Sequence, residues 1–275
     1  YRARVRARNH VAAFIKSFYR RSDMSMLELT PDFIKEFAAY LSTEAGLRNG
    51  SIWANCMWLK GVVMKAHYNG LIPRNPFIQF HISPNVKERE YLTEDELKAV
   101  MTHEFADSKL AYIRDIFIFA SFTALSFVDI QELTNDNIVE VNGEKWILSK
   151  RHKTKVAFQV KLLDIPLQIV ERYRPMQKDN RIFPGLNYWS ICKPLKRMIR
   201  ECGITKSISF HCSRHGFATL ALSKGMPIES VSRVLGHTNI VTTQLYAKIT
   251  TQKLDNDLTM FGDKLSKTFN GITMS

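Results

Sequence analysis

A proline-containing, charged stretch at residues 71–90 divides this 275-residue sequence into two segments of different character. The first half of the stretch, LIPRNPFIQF, has two prolines, which cannot lie inside a helix, and HISPNVKERE after it is polar and charged. A chain of this length can form two domains that each bury a core. We therefore predict a first domain at residues 1–82, a linker at 83–90 and a second domain at 91–275.

The first segment has the pattern of a small helical domain. Thr30 followed by Pro31 is typical of a helix start, because threonine caps the first turn and proline suits the first helical position. A second apolar periodicity runs from about residue 51 to residue 68 and stops at the pair Asn69-Gly70. Both observations predict helices packed on one another.

The second segment changes from helical to strand-like patterns and back. Thr93 and Glu96 have the spacing of a capping box, and the apolar run AYIRDIFIFASFTALSFVDIQEL predicts a buried helix or helix pair. The β-forming runs IVEVNGEKWILS and VAFQVKLLDIP follow, with a tight turn predicted at Asn142-Gly143 and a basic turn at KRHKTK. From Leu167 the helical pattern returns. The fold class predicted is mainly α with a small antiparallel β-sheet (α+β).

The sequence is strongly basic, with 39 Lys and Arg residues against 26 Asp and Glu residues and a formal charge of +13. Both segments share the excess, since residues 1–90 carry +7 and residues 91–275 carry +6. This charge favours a polyanionic partner, either nucleic acid or an acidic membrane surface, although a basic protein without such a partner has the same composition.

The four cysteines form no CxxC pair, which argues against a zinc ribbon or a disulfide framework and favours reduced thiols in the cytoplasm. No apolar run approaches the roughly 18 residues of a membrane span, and the N-terminal residues lack the apolar centre of a signal peptide. We expect no membrane association. Because the chain begins with Tyr1, we also expect it to be part of a longer protein.

Two local patterns in the second segment have several possible interpretations. Lys153 lies in the basic turn KRHKTK, where a lysine is usually a solvated charge. His211 and Arg214 are three residues apart in HCSRHGFATLAL, so they share one face if a helix begins there, and arginine matches a phosphate with two parallel hydrogen bonds. His211 and His215 also have a spacing that can bind zinc, but no Glu lies between them and no third ligand is evident.

A third pattern is SVSRVLGHTNIVTTQLYAKI, in which Gly236 and His237 end one helix and Tyr246 lies on the next. A lone tyrosine on an amphipathic helix is normally a residue at the edge of a core. The order of the three patterns along the chain is what makes them specific.

Together these segments resemble the catalytic domain of the tyrosine recombinases, the lambda-integrase family. HCSRHGFAT resembles the family's HxxR box, and LGHTNIVTTQLYAKI resembles its LGH box, which the nucleophilic tyrosine follows nine residues later. Lys153 falls where the family has a β-hairpin lysine. The first segment is similar in size and position to the family's helical, SAM-like core-binding domain. The resemblance spans nearly the whole chain and is most specific over residues 209–250.

The resemblance implies a site-specific integrase that cleaves and rejoins DNA through a 3′-phosphotyrosine. In that reaction Arg214 and His211 hold the scissile phosphate, and His237 adds a hydrogen bond or helps with proton transfer. Lys153 protonates the leaving 5′ hydroxyl, and Tyr246 becomes linked to the DNA. Such a site needs no cofactor and no metal, because arginine and histidine neutralise the charge that builds on the phosphate.

One position departs from the family pattern. The family's first arginine lies in a TGxR-type stretch, and the corresponding text here is TALSFVDIQEL, with Ser126 at the arginine position. Some integrases of conjugative transposons are similar in this respect. We expect Arg151 or Lys150 in the basic turn to compensate, and we expect Lys150, Arg151 and Lys155 to bind DNA. On sequence grounds, we expect the Ser126→Arg variant to keep its cleavage activity or to cleave faster.

The resemblance also implies double-stranded DNA as the partner, a tetramer on DNA, a monomer when free, and accessory proteins that bend DNA. The resemblance leaves open whether a separate arm-binding domain precedes Tyr1. The tail after Tyr246 has spaced apolar residues that predict a short helix, docked on a neighbouring protomer or on its own domain: Leu254, Leu258, Phe261 and Leu265. The alternatives are a type IB topoisomerase-like enzyme and a catalytically impaired DNA-binding relative.

Overall fold

The computed structural model describes residues 2–84, 90–152, 155–177, 179–246 and 251–268. The chain divides into two compact units, Tyr1–Glu88 and Arg89–Ser275, and this division falls within the predicted linker. Within the described residues, no helix is long and apolar enough to cross a membrane.

The first unit is helical. Its helices are α1 (Arg2–Phe18), α2 (Pro31–Thr43) and α3 (Asn49–Tyr68). Helix α2 begins where the sequence predicts, because the Thr30 hydroxyl accepts the N–H of Phe33 and Pro31 takes the first helical position. The aromatic rings of Phe14, Phe33 and Phe37 are buried in the centre of the unit.

The second unit contains the small sheet and nine helices among its described residues. The elements are α4 (Glu94–Thr102), α5 (Ser108–Thr123), α6 (Phe127–Gln131), β1 (Ile138–Val141), β2 (Glu144–Lys150), β3 (Ala157–Lys161), α7 (Asp164–Tyr173), α8 (Tyr188–Glu201), α9 (His211–Ser223), α10 (Ile228–Leu235), α11 (Val241–Gln244) and α12 (Thr251–Thr268). The predicted fold class, mainly α with a small antiparallel sheet, is confirmed.

The sheet has the order β1-β2-β3 with both pairs antiparallel. Asn142 and Gly143 both have positive φ, the conformation that a two-residue hairpin turn requires, so the predicted tight turn is present. The register pairs Lys150 with Ala157 at the other end of β2. The residues of the basic turn therefore leave the sheet together at that end.

The apolar run of the second unit forms a helix pair with a sharp break. Helix α5 is buried along most of its length, and Ala124 ends it in a left-handed conformation with φ +55°. Ser126 then caps α6, because its hydroxyl accepts the Asp129 N–H while the Asp129 carboxylate accepts the Ser126 N–H. The break turns the Ala124 carbonyl away from helical pairing and towards α9, where Arg214 binds it.

Candidate active site

The carboxyl end of α10 collects two arginine side chains. The Arg214 guanidinium on α9 donates to the carbonyl of Leu235, and it also donates to the Ala124 carbonyl at 2.8 Å. The Arg151 guanidinium donates to the carbonyl of Val234 at 2.5 Å. The last carbonyls of a helix lack partners within the helix and carry the negative end of its dipole, so they attract cations. Two positive groups are thereby held side by side.

Arg214 reaches this point because α9 begins at His211, as the sequence predicts. The three-residue spacing puts both side chains on one face of the first turn. His211 is exposed, whereas Arg214 is only 8% exposed. A buried arginine with carbonyl partners is fixed in position before any ligand binds.

Arg151 follows the last residue of β2 and is as buried as Arg214. Its guanidinium donates to the Asp129 carboxylate at 2.7 Å and lies over the ring of Phe158, with 4.0 Å between the guanidinium carbon and the ring centroid. Backbone hydrogen bonds between Arg151 and Val156 and between Lys155 and Arg151 hold the start of the turn. Arg151 was predicted as a DNA-binding residue and as one of two possible substitutes for the missing arginine, and the structure places it beside Arg214.

Asp129 is the carboxylate that organises this part of the site. Its Oδ2 accepts from the Ser126 hydroxyl at 2.8 Å as well as from Arg151, and its Oδ1 accepts from the backbone N–H of His152 at 3.0 Å. Burial tends to raise the pKa of Asp129, but the hydrogen bonds from His152, Arg151 and Ser126 outweigh it and lower the pKa below its ordinary value. Asp129 is therefore ionised at neutral pH.

Gly236 leaves the space in which Arg151 lies. It ends α10 with φ +62°, a conformation that favours glycine, and a Cβ placed there would lie 2.9 Å from Arg151 Nε. Arg151 Nε is itself buried and has no hydrogen-bond partner within the described residues. The glycine of the LGH sequence is thus required by backbone conformation and by packing against the hairpin arginine.

His237 comes directly after this glycine and is held by a residue of α11. Its Nδ1 lies 2.8 Å from the hydroxyl oxygen of Thr243, whose side chain is fully buried. Burial, together with the neighbouring Arg214, Arg151 and His211, lowers the pKa of His237 to about 4. The imidazole is therefore neutral at pH 7.

Tyr246 lies in the turn just after α11, since the helix ends at Gln244 rather than continuing through the tyrosine as the sequence suggested. Its N–H donates to the Thr243 carbonyl at 3.0 Å. The Tyr246 ring contacts the ring of His215 with 5.1 Å between centroids, and His215 contacts His211 at 4.7 Å. His215 therefore packs between the tyrosine and the first histidine of α9.

The site is electropositive. Burial and the charge of Arg151 lower the pKa of Arg214 more than Tyr246 and Asp129 raise it, and the pKa is about 10. Arg214 still carries its charge at neutral pH. Asp129 forms an ion pair with Arg151, whereas Arg214 donates to backbone carbonyls, so the charge of the second guanidinium is not neutralised by that carboxylate and favours binding of an anion.

Four of the residues predicted from the resemblance come together here, namely His211, Arg214, His237 and Tyr246. Lys153 lies outside the described residues, so its position stays a prediction. Lys150 and Lys155 are both exposed at the edge of the turn. Ser126 is a helix cap that binds Asp129.

Three residues of the site were not predicted, namely Asp129, Phe158 and Thr243. The spacing of Ser126 and Asp129 is that of a capping pair, and this signal could have identified Asp129. Phe158 and Thr243 carry no sequence signal, because the type and spacing of a hairpin aromatic and a helical threonine show neither their burial nor their partners. No group of three or more His, Cys, Asp or Glu side chains within the described ranges could hold a metal ion.

Comparisons with known proteins assign both units to sequence families. The model of the phage integrase family matches residues 90–253, and the model of the phage integrase SAM-like domain matches residues 1–82. The chain is similar to the tyrosine recombinase XerA of Pyrococcus horikoshii, with 32% identity over 177 residues that cover 59% of this chain and 58% of the relative. It is also similar to the tyrosine recombinase XerC of Lactobacillus leichmannii, with 25% identity over 229 residues, 78% of this chain and 77% of the relative.

Solved structures show the same fold. A Tn1549 transposon integrase in complex with a circular intermediate DNA aligns with a TM-score of 0.77 and 17% identity, over 93% of each chain. A lambda integrase dimer bound to a core site aligns with a TM-score of 0.66 and 18% identity, over 88% of this chain and 87% of that one. At 17% and 18% sequence identity, these alignments show a shared fold.

Removing the Asp129 carboxylate should destabilise the second unit, because Arg151 would remain buried without its counterion. Asp129→Ala should lower the free energy of unfolding at pH 7 by about 3–5 kcal/mol, measured by urea denaturation. Asp95→Ala is the control, because the Asp95 side chain is 96% exposed and its ion pair among the described residues is with Lys98 at 3.8 Å. Such exposed pairs contribute about 0–1 kcal/mol.

The effect of Asp129→Ala should depend on pH. The pKa of Asp129 in the folded protein lies below its unfolded value of about 4. The stabilisation by Asp129 is therefore complete above about pH 4 and is lost as the pH falls through the folded pKa. Over that pH range the free energies of unfolding of the wild type and of Asp129→Ala should converge. Equal losses of stability for Asp129→Ala and Asp95→Ala at pH 7 would contradict the assigned ion pair.

Proposed function

The chain belongs to the phage integrase family of tyrosine recombinases, and we propose that it recombines DNA at specific sites with Tyr246 as its nucleophile. One observation carries the proposal. Two buried guanidiniums, Arg151 and Arg214, lie side by side on the end of α10, and the phenol of Tyr246 is close enough to affect the pKa of Arg214. This arrangement suits a phosphodiester that a tyrosine attacks.

The proposed reaction is a transfer of the DNA phosphate to tyrosine and back. The phenol of Tyr246 releases its proton to solvent as its oxygen bonds to phosphorus. The bond from phosphorus to the deoxyribose 5′ oxygen breaks, and the 5′ oxygen takes up a proton from the general acid and leaves as a hydroxyl. The product is a 3′-phosphotyrosine. Because the phosphodiester character of the linkage is retained, the 5′ hydroxyl of another strand can attack it and release Tyr246.

Arg151 takes the place of the family's first arginine in this proposal. Ser126 is too short to reach a phosphate, and its hydroxyl is occupied with Asp129. Arg151 enters from the hairpin and lies beside Arg214, so two guanidiniums remain available to neutralise the charge that builds on the non-bridging oxygens. His211, which is exposed at the start of α9, adds a further donor to the phosphate.

Lys153 is the proposed proton donor to the leaving 5′ oxygen. Its neighbours support this assignment, because Arg151 is anchored in the site and Asp129 binds the backbone of His152. Lys150 and Lys155 are exposed on the two sides of the turn and are proposed to bind the DNA backbone.

Double-stranded DNA is the proposed partner, supported by the positive charge of both segments and by solved relatives bound to DNA. A tetramer on DNA, a monomer in its absence and DNA-bending accessory proteins complete the proposal. Helix α12 supports association, because its apolar residues are all exposed: Leu254, Leu258, Met260, Phe261 and Leu265. Such a stripe suits docking on a neighbouring copy.

The nucleophile is tested with Tyr246→Phe. The probe is a pool of nicked duplexes of randomised sequence, in which a cut beside the nick releases a short strand and traps the covalent complex. The wild type should form an adduct that survives denaturing electrophoresis, and Tyr246→Phe should form none while its DNA affinity changes little. An adduct that persists in Tyr246→Phe would show that another residue is the nucleophile.

Sequencing the trapped DNA separates recombination from its alternatives. A recombinase should select a defined sequence, whereas a topoisomerase-like enzyme should trap unrelated sequences and relax a supercoiled plasmid that lacks the selected site. Failure of the wild type to trap any DNA, together with retained binding, would indicate a DNA-binding protein without this activity.

The role of Arg151 is tested on the selected duplex. Arg151→Ala should slow single-turnover cleavage by about a hundred- to a thousandfold, as expected for loss of one charge-stabilising donor. A methylphosphonate at the scissile position carries no charge there, so the same variant should cleave it nearly as fast as the wild type does. Lys161→Ala is the control, because Lys161 lies at the other end of the hairpin in an exposed pair with Glu144, and it should change cleavage little. Equal defects of Arg151→Ala on both substrates would overturn the assignment.

Ser126→Arg tests whether the arginine can be moved. In the wild type the new side chain meets an Asp129 that already binds Arg151, so the single substitution should not raise cleavage. In Arg151→Ala the Asp129 carboxylate has lost its arginine partner. The double variant that also carries Ser126→Arg should therefore recover part of the lost cleavage rate in the same single-turnover assay. If the single Ser126→Arg variant cleaves faster than the wild type, arginines at positions 126 and 151 do not compete for the Asp129 carboxylate.

A further inference from the structure

Thr243 connects two functional groups of the proposed site. Its hydroxyl oxygen lies 2.8 Å from His237 Nδ1, and its backbone carbonyl accepts the N–H of Tyr246 at 3.0 Å. The side chain is fully buried. One residue therefore contacts both the imidazole of the LGH sequence and the turn that carries the proposed nucleophile.

The direction of the hydrogen bond between Thr243 and His237 decides where the imidazole proton lies. If the threonine hydroxyl donates to Nδ1, the neutral ring carries its proton on Nε2. If Nδ1–H donates instead, the buried hydroxyl hydrogen needs another acceptor, and the structure records none for Thr243 within the described residues. A buried donor without an acceptor is unfavourable, so the hydroxyl donates to Nδ1.

The ring is neutral for a reason that is independent of Thr243. His237 faces the guanidiniums of Arg214 on α9 and Arg151 at the end of β2, and also His211 on α9. Burial and these groups lower the pKa of His237 to about 4. Only the two neutral tautomers therefore compete at pH 7.

We propose that Thr243 is a positioning residue that holds His237 as the Nε2–H tautomer, so that His237 donates a hydrogen bond to the scissile phosphate and does not accept the Tyr246 proton. A neutral imidazole whose Nδ1 accepts from Thr243 and whose Nε2 carries hydrogen has no lone pair left for a base. This resolves the two roles that the sequence leaves open for His237. The part that concerns the phosphate rests on the proposed function.

The tautomer is measured directly by NMR on the full chain labelled with ¹⁵N-histidine. At pH 7 the wild type should show His237 with a protonated Nε2 and an unprotonated Nδ1, the signals being assigned by their loss in His237→Asn. Thr243→Val keeps the size of the side chain and removes the hydroxyl, and it should produce a mixture of tautomers. Thr243→Ser should restore the wild-type pattern.

Single-turnover cleavage of the duplex selected by the wild type supplies the second readout. Thr243→Val should slow cleavage by roughly 10- to 100-fold, the scale at which residues that orient a functional group act, with unchanged DNA affinity. The defect should shrink on the methylphosphonate duplex, since the donor matters less there. Thr243→Ser should recover the rate, and Thr242→Val, in the exposed neighbour, should behave as the wild type.

The results separate the two proposals. A wild-type His237 with its proton on Nδ1, or an unchanged tautomer in Thr243→Val, would overturn the role of Thr243 even if the protein cleaves DNA. A wild type that traps no DNA would overturn the proposed function, while the NMR measurement would still decide the hydrogen bond. Equal loss of cleavage in Thr243→Val and Thr243→Ser would also contradict the positioning role.

Discussion

The organisation of the site depends on the carboxyl end of α10, where two consecutive carbonyls bind two arginines. Val234 binds Arg151 and Leu235 binds Arg214. Carbonyls at the end of a helix have no partner within it, so they are available to a donor from another element. The two arginines come from a hairpin and from α9, which are far apart in the sequence, and the helix end brings them together.

This arrangement explains how the chain can lack the arginine expected at position 126. Asp129 does not need a guanidinium from its own helix, because Arg151 reaches it across the fold, and the Ser126 hydroxyl fills the remaining hydrogen-bonding position. Phe158 and Gly236 complete the surroundings of Arg151, one through its ring and the other by leaving space. The position of the Arg151 guanidinium thus depends on Asp129, Phe158 and Gly236 as well as on the arginine itself.

The charges of the arginines also set the state of the histidine beside them. Two guanidiniums and burial disfavour a proton on His237, and a neutral ring then depends on a hydrogen bond to choose between its tautomers. Thr243 supplies that bond from the short helix before Tyr246. The electrostatics of α9 and the hairpin are therefore linked to Tyr246 through one residue, because the Thr243 hydroxyl contacts His237 and the Thr243 carbonyl accepts the Tyr246 N–H.

The sequence by itself determined the fold class, the hairpin at Asn142-Gly143 and the start of α9 at His211, because caps, turn residues and periodicity act over a few residues. It also identified the group of histidines, arginine and tyrosine through its resemblance to a family. Only the tertiary structure decided that Arg151 rather than Lys150 lies beside Arg214. Successive side chains at the end of a strand point to opposite sides, and only burial shows which side faces the site. The contacts of Phe158 with Arg151 and of Thr243 with His237 were likewise known only from the structure, since the partners are near in the sequence but no pattern of residue types shows that their side chains are buried against each other.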